Sequence, residues 1–143
     1  MRIGKLLTQK GDFVATVAPE STVWEALASL DEHKIGALVV SADGRTPEGI
    51  VSERDIVRRL NDQGASVLDG PVSSIMVRDL FCASPDDELE SLMSEMTTRR
   101  IRHVPVLRDG ELVGIVSIGD VVKNRLEALQ EDNKALVDYI HAR

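Results

Sequence analysis

The sequence predicts an α+β (α/β) fold built from two β-α-β-β-α repeats, packed with pseudo-twofold symmetry into one unit. Three observations predict it. A proline-led amphipathic stretch occurs twice. A Gly-Ile-Val-Ser segment that runs into a Ser-x-x-Asp box also occurs twice. An Asp-Gly pair marks a turn between apolar runs in each half.

The first repeat unit begins at Val17-Ala-Pro-Glu-Ser-Thr-Val-Trp-Glu-Ala-Leu27 and is answered by Ala83-Ser-Pro-Asp-Asp-Glu-Leu-Glu-Ser-Leu-Met93. Pro19 maps to Pro85 at an offset of 66, and Val23, Ala26, Leu27 and Leu30 map to Leu89, Leu92, Met93 and Met96. Both sets follow i, i+3, i+4, i+7 spacing, which places them on one apolar helix face. Ile35-Gly-Ala-Leu-Val-Val is answered by Ile101-Arg-His-Val-Pro-Val. After a slip of one residue, Gly49-Ile-Val-Ser-Glu-Arg-Asp-Ile-Val is answered by Gly114-Ile-Val-Ser-Ile-Gly-Asp-Val-Val. The slip falls in the turns at Asp43-Gly44 and Asp109-Gly110.

These patterns predict strands near 13–17, 37–41 and 48–52 with helices near 22–33 and 53–61 in the first half. The second half is expected to hold strands near 80–83, 103–107 and 112–117 and helices near 87–98 and 118–141. The expected divisions are a first repeat with its N-terminal segment (1–62), a linker (63–78), a second repeat (79–125) and an extension of the last helix (126–143). About 60 residues per half is too few for much independent stability, so the halves should pack together.

Composition narrows the function. Cys82 is the only cysteine, which excludes an internal disulfide and multi-cysteine metal sites. The absence of a long apolar run or signal-like N-terminus points to a cytoplasmic protein without a membrane span. A net charge of −7 and 3% aromatic content argue against nucleic acid as a partner. A small anion held by a local cluster of cations stays compatible with that charge.

The pattern of strand, proline, amphipathic helix, strand and Gly-Ile-Val-Ser-x-x-Asp, present twice over roughly residues 1–125, resembles a tandem pair of cystathionine-β-synthase (CBS) domains, the Bateman module. Arg99-Arg-Ile-Arg-His-Val-Pro-Val and Ser52-Glu-Arg-Asp55 resemble a stand-alone bacterial subgroup. The resemblance implies a non-catalytic regulatory protein that binds an adenine nucleotide (AMP, ADP, ATP or NAD) between the repeats, needs no cofactor, forms a homodimer and signals to an unidentified protein partner.

The Ser52–Asp55 and Ser117–Asp120 boxes have two readings. Each can be a capping box at a helix start. Each can also present an acid to ribose hydroxyls beside a positive helix terminus. The resemblance places Ser and Asp of these boxes at the ribose. Arg100, Arg102 and His103 suit a phosphate clamp, with Arg100 and Arg102 on one face if the chain is extended there. Arginines at a helix C-terminus also favour its dipole. The resemblance puts phosphate contacts at Arg102 and His103, reaching the nucleotide held by Asp55.

At the 66 offset the first half offers Lys34, Gly36 and Ala37 instead, so the two clefts should be unequal. The cleft of Asp120 is expected to hold fewer cations, and Arg54 adds one beside Asp55. Trp24, Met93, Met96 and Cys82 read as packing residues, with Cys82 on a strand. His33 and His141 lack ligand-spaced partners, so no metal site is expected. Asp86 and Asp87 read as helix N-terminal residues. Val122, Leu126, Leu129, Asn133, Leu136 and Ile140 form a short heptad seam that either packs on its own chain or joins two chains.

Overall fold

The computed structural model describes residues 1–142. Its elements run α1 (Ile3–Lys10), β1 (Thr16–Val17), α2 (Val23–His33), β2 (Ala37–Val40), β3 (Gly49–Ser52), α3 (Glu53–Gln63), α4 (Leu89–Arg99), β4 (His103–Arg108), β5 (Glu111–Ser117) and α5 (Ile118–His141). Short 3-10 turns occupy Ala65–Asp69 and Val72–Ser74. The expected α+β repeat architecture is present. The first sheet orders β1-β2-β3, with β1 parallel and β3 antiparallel to β2. The second pairs β4 and β5 antiparallel.

The strand expected at 80–83 shrinks to one parallel bridge between Ala83 and Val106. The cause is Pro105. In the first half Val39 N–H donates to the Ala15 carbonyl and Ser41 N–H to Val17. In the second half Leu107 N–H donates to Ala83, but Pro105 stands where Val39 stood and has no N–H to give. Cys82 therefore lies outside any strand. It is half-buried, and desolvation pushes its thiol pKa up.

Two apolar cores form. The first gathers Val23, Ala26, Leu30, Leu38, Val40, Val51 and Ile56. The second gathers Leu89, Leu92, Met96, Val104, Val106, Val116 and Val121. Each core is completed by a segment lying N-terminal to the other repeat. Ile3, Leu6 and Leu7 of α1 are buried in the second core, and Val72, Ile75 and Met76 in the first. Burying each such side chain contributes about 1.5–3 kcal/mol. The backbone follows the same exchange. Ile3 and Gly4 N–H donate to Asp87 and Pro85 carbonyls at 2.9 and 2.8 Å, and Val72 and Ser73 N–H donate to Ser21 and Pro19 at 2.7 and 3.0 Å. The N-terminal segment, expected to go with the first repeat, thus packs on the second.

Two glycines permit this close packing. A Cβ on Gly114 would lie 2.6 Å from Leu7 Cδ2, and one on Gly49 would lie 2.7 Å from Met76 Sδ. Helices α2 and α4 end alike. Lys34 and Arg100 adopt left-handed backbone (φ 53° and 55°), while Ile35 and Ile101 N–H reach back to Leu30 and Met96 carbonyls at 3.1 Å.

Trp24 is 56% exposed rather than packed, because it lies one residue off the Val23–Ala26–Leu30 stripe. Met96 is buried and Met93 packs against the second core. Asp86 and Asp87 precede the helix instead of opening it: Glu88 is the N-cap of α4, and the Asp87 carboxylate accepts from Ser84 N–H at 2.8 Å. Val121 is the buried residue of α5, and the seam from Val122 to Ile140 is exposed at its apolar positions. The seam therefore does not pack on the described residues of its own chain. No helix is long and apolar enough to cross a membrane among the described residues.

Candidate functional site

Both Ser-x-x-Asp boxes are capping boxes. Ser52 accepts from Asp55 N–H at 3.3 Å while Asp55 Oδ2 accepts from Ser52 N–H at 2.9 Å. Ser117 and Asp120 repeat this at 3.1 and 2.9 Å. Each box closes a strand and opens a helix beside the seam between the repeats. The first amides of α3 and α5 are held in matching ways: Glu53 N–H donates to the Gly36 carbonyl at 3.0 Å and Ile118 N–H to that of Arg102 at 2.8 Å.

A cleft of about 510 Å³ opens on this seam. It brings together Gly36, Ser52, Arg54, Asp55, Arg100, Arg102, His103 and Ser117 from the expected set. This volume lies in the range of small-molecule sites. Ser52 Oγ also donates to Asp55 Oδ2 at 2.9 Å, which leaves Asp55 Oδ1 without a hydrogen bond from the described residues. Arg100 does not share an extended face with Arg102. It is the left-handed C-cap of α4, and after the turn it makes both Arg100 and Arg102 line the cleft.

Sequence reasoning missed Arg58 and Glu53 in the wall, and Ile50, Val77, Ile101 and Ile118 as its apolar lining. Arg58 had a readable signal, since Arg54 and Arg58 are four apart on a helix and share a face. Val77 had none. It arrives through a two-way backbone bridge to Ile50, at 3.0 and 2.9 Å.

The wall holds four arginines, Arg54, Arg58, Arg100 and Arg102, against the carboxylates of Glu53 and Asp55. Among the described residues none of the four makes an ion pair within 4.0 Å. Arg99 behaves differently: it pairs with Glu95 at 2.7 Å and stacks over the Phe81 ring at 4.4 Å. His103 lies against the face of Gly36, where an added Cβ would meet its Nε2 at 3.4 Å. Burial pushes the His103 pKa down, and Arg102 and Lys10 add to this, outweighing the opposite pull of Asp120 and Glu53. The imidazole is then neutral at pH 7 and offers one donor and one acceptor.

Two expected residues fall elsewhere. Lys34 points away and pairs with Asp31 at 3.0 Å on an exposed surface. Asp120 is held by a cation that the sequence reading overlooked. Lys10 Nζ donates to Asp120 Oδ2 at 2.6 Å and to the Ile115 carbonyl at 2.7 Å. Asp120 lines a separate cavity of about 90 Å³ with Leu6, Gln9, Lys10, Lys123 and Glu127. With Lys10 and Lys123, the Asp120 cavity is lined by fewer cations than the four arginines of the Asp55 cleft. Among the described residues no group of three or more His, Cys, Asp or Glu is placed to hold a metal ion.

Desolvation raises the Asp120 pKa, but the Lys10 hydrogen bond, the Ser117 amide and the Lys10 charge together carry it below its ordinary 3.8. A depressed carboxyl contributes stability that is complete above 3.8 and is lost as pH falls through the folded value. Urea midpoints for the wild-type chain should therefore drop below pH 3.8 by more than those of Asp120→Asn. Equal acid sensitivity in the two would remove the contact from the stability of the fold.

Relatives carry the same architecture. The mitochondrial CBS domain-containing protein CBSX3 of Arabidopsis thaliana is 38% identical over 125 residues, which are 85% of this chain and 61% of that protein. The chain thus spans about three fifths of that relative. The crystal structure of the CBS-domain containing protein ATU1752 from Agrobacterium tumefaciens superposes with a TM-score of 0.84 at 44% identity, over 87% of this chain and 99% of that one. The CBS domain protein PAE2072 from Pyrobaculum aerophilum, solved in complex with AMP, gives a TM-score of 0.73 at 29% identity over 84% and 89% of the two chains. The CBS domain model matches residues 11–62 and again 72–127, one match on each repeat, so the chain belongs to the CBS-domain family and carries the domain twice.

Proposed function

We propose that this CBS pair is a non-catalytic regulatory module whose Asp55 cleft binds an adenine nucleotide, with AMP, ADP, ATP and NAD as the ligand set. The observation that carries this reading is the cluster of four arginines that make no ion pair among the described residues, beside the open carboxylate of Asp55, in a chain of net charge −7. Like charges gathered at one seam repel each other, and an anion relieves that cost. Asp55 Oδ1 accepts from ribose hydroxyls, and Ser52 lies beside it. Arg54, Arg58, Arg100 and Arg102 take the phosphate, with His103 donating a further hydrogen bond. Ile50, Val77, Ile101 and Ile118 supply an apolar bed for the base. A similar protein of the family is known in complex with AMP, which supports the choice of ligand class.

The bound nucleotide bridges both repeats, so it favours one relative orientation by its differential affinity for the two states. A partner protein reads that orientation. Pairing of two copies through the exposed α5 seam belongs to this reading, since Asn133 at an a position is a register device of paired helices. That seam also favours a second reading, a dimeric scaffold whose boxes act only as caps.

Thermal unfolding separates the two. With AMP about 100-fold above Kd, stability should rise by about 2.7 kcal/mol, a melting shift on the order of 10 °C. No shift with AMP, ADP, ATP or NAD at millimolar concentration would leave the scaffold.

A further inference from the structure

The two Ser-x-x-Asp boxes are built alike, yet their surroundings differ. In each box the serine N–H donates to the aspartate Oδ2 at 2.9 Å. Asp55 faces a cleft of about 510 Å³, whereas Asp120 faces one of about 90 Å³. The smaller space is below the ~300 Å³ that small-molecule sites usually need.

The difference traces to the segments that close the two cores. Leu7 and Met76 fill matching places over Gly114 and Gly49. From Leu7 the chain takes three more residues to reach Pro19 than it takes from Met76 to reach Pro85. After Met76 the chain turns extended, and Val77 bridges to Ile50. After Leu7 it continues as helix to Lys10. One further turn of α1 carries Lys10 over the box, where its Nζ donates to Asp120 Oδ2 at 2.6 Å and to the Ile115 carbonyl at 2.7 Å. Ile115 is the counterpart of Ile50, so Lys10 engages the same strand that Val77 pairs with in the other half. Buried Ile3, Leu6 and Leu7 anchor α1, which fixes where its last turn can reach. The ammonium and carboxylate retain 27% and 23% of their side-chain exposure, so the pair is shielded but not sealed.

We infer that Lys10 is an intramolecular occupant of a second, latent nucleotide site, so that one chain takes up one nucleotide. This rests on the reading that the boxes receive a ribose. The ammonium satisfies the carboxylate that a sugar hydroxyl would otherwise reach. Lys123, which stands at the position of Arg58 in the repeat, lies beside Asp120 and is the cation left for a phosphate once Lys10 is withdrawn. Displacement of the last turn of α1 then converts a one-site module into a two-site one.

The test is calorimetric titration of the full chain with AMP, comparing wild type, Lys10→Met and Lys10→Met/Asp120→Asn. Methionine keeps a long apolar stem without the ammonium, and Lys10→Gln serves as a second variant should Lys10→Met unfold. The expected binding ratio is one AMP per wild-type chain and two per Lys10→Met chain, returning to one in the double variant. A ratio of two in the wild type would overturn the inference, as would a ratio in Lys10→Met equal to that of the wild type. The parent reading fails separately: no AMP bound to wild type but one bound to Lys10→Met would remove the Asp55 cleft and keep the Lys10 contact as the gate. No AMP bound to any of the three would remove both.

Discussion

Arg102→Ala should weaken AMP binding by about 10- to 100-fold while adenosine binding changes by less than about threefold. Hydrogen bonds to charged groups contribute about 1.5–3 kcal/mol, and Arg102 lines the cleft without an ion-pair partner among the described residues. Its removal costs the folded protein little, since no carboxylate is left stranded. The loss therefore falls on the phosphate, and adenosine has none. Calorimetric titration with the two ligands reads the contrast directly. Equal loss for AMP and adenosine would show that Arg102 shapes the cleft rather than binding the anion.

Leu38→Ala should destabilise the chain by about 3 kcal/mol and lower its melting temperature on the order of 10 °C. Leu38 is fully buried in β2, at the centre of the first core. The larger point is how the loss propagates. Val72, Ile75 and Met76 of the segment that leads into the second repeat are buried in the first core, and Ile3, Leu6 and Leu7 from the start of the chain are buried in the second. The second core joins residues 3–7 to residues 83–121, and the folded first repeat between them shortens the loop that this core must close. Calorimetry should show one transition that shifts as a whole. Two transitions, with only the lower one moved by Leu38→Ala, would mean the repeats fold independently.

Much of this was readable from residue order. The apolar i, i+3, i+4, i+7 positions of α2 and α4 are local facts, and the structure buries Val23, Ala26, Leu30, Leu89, Leu92 and Met96 as the spacing requires. The boxes at Ser52 and Ser117 are local too, because a cap is made by residues three apart. Arg102 and His103 were legible as cleft residues through the cation cluster they form with Arg100 and the family resemblance. The lost strand at 80–83 was legible in principle, since Pro105 removes a donor whatever the fold.

Other features depended on distance. The N-terminal helix could be read as amphipathic, but not as a piece of the second core. The contact of Lys10 with Asp120 joins residues 110 apart and has no periodic trace. Lys34 shows the converse failure: repeat arithmetic pairs it with Arg100, and their backbones do match, yet its side chain has Asp31 within reach and turns outward.

The order of residues alone determined that this chain is a duplicated strand–helix unit with an acid box in each copy, because periodicity, caps and turns are short-range properties of the backbone. The residue order also pointed to unequal clefts, but only the tertiary structure decided what occupies the second one. A core is closed by whichever apolar segment reaches it, and here one such segment runs a turn too far, setting a lysine on one acid and leaving the other open to a ring of arginines.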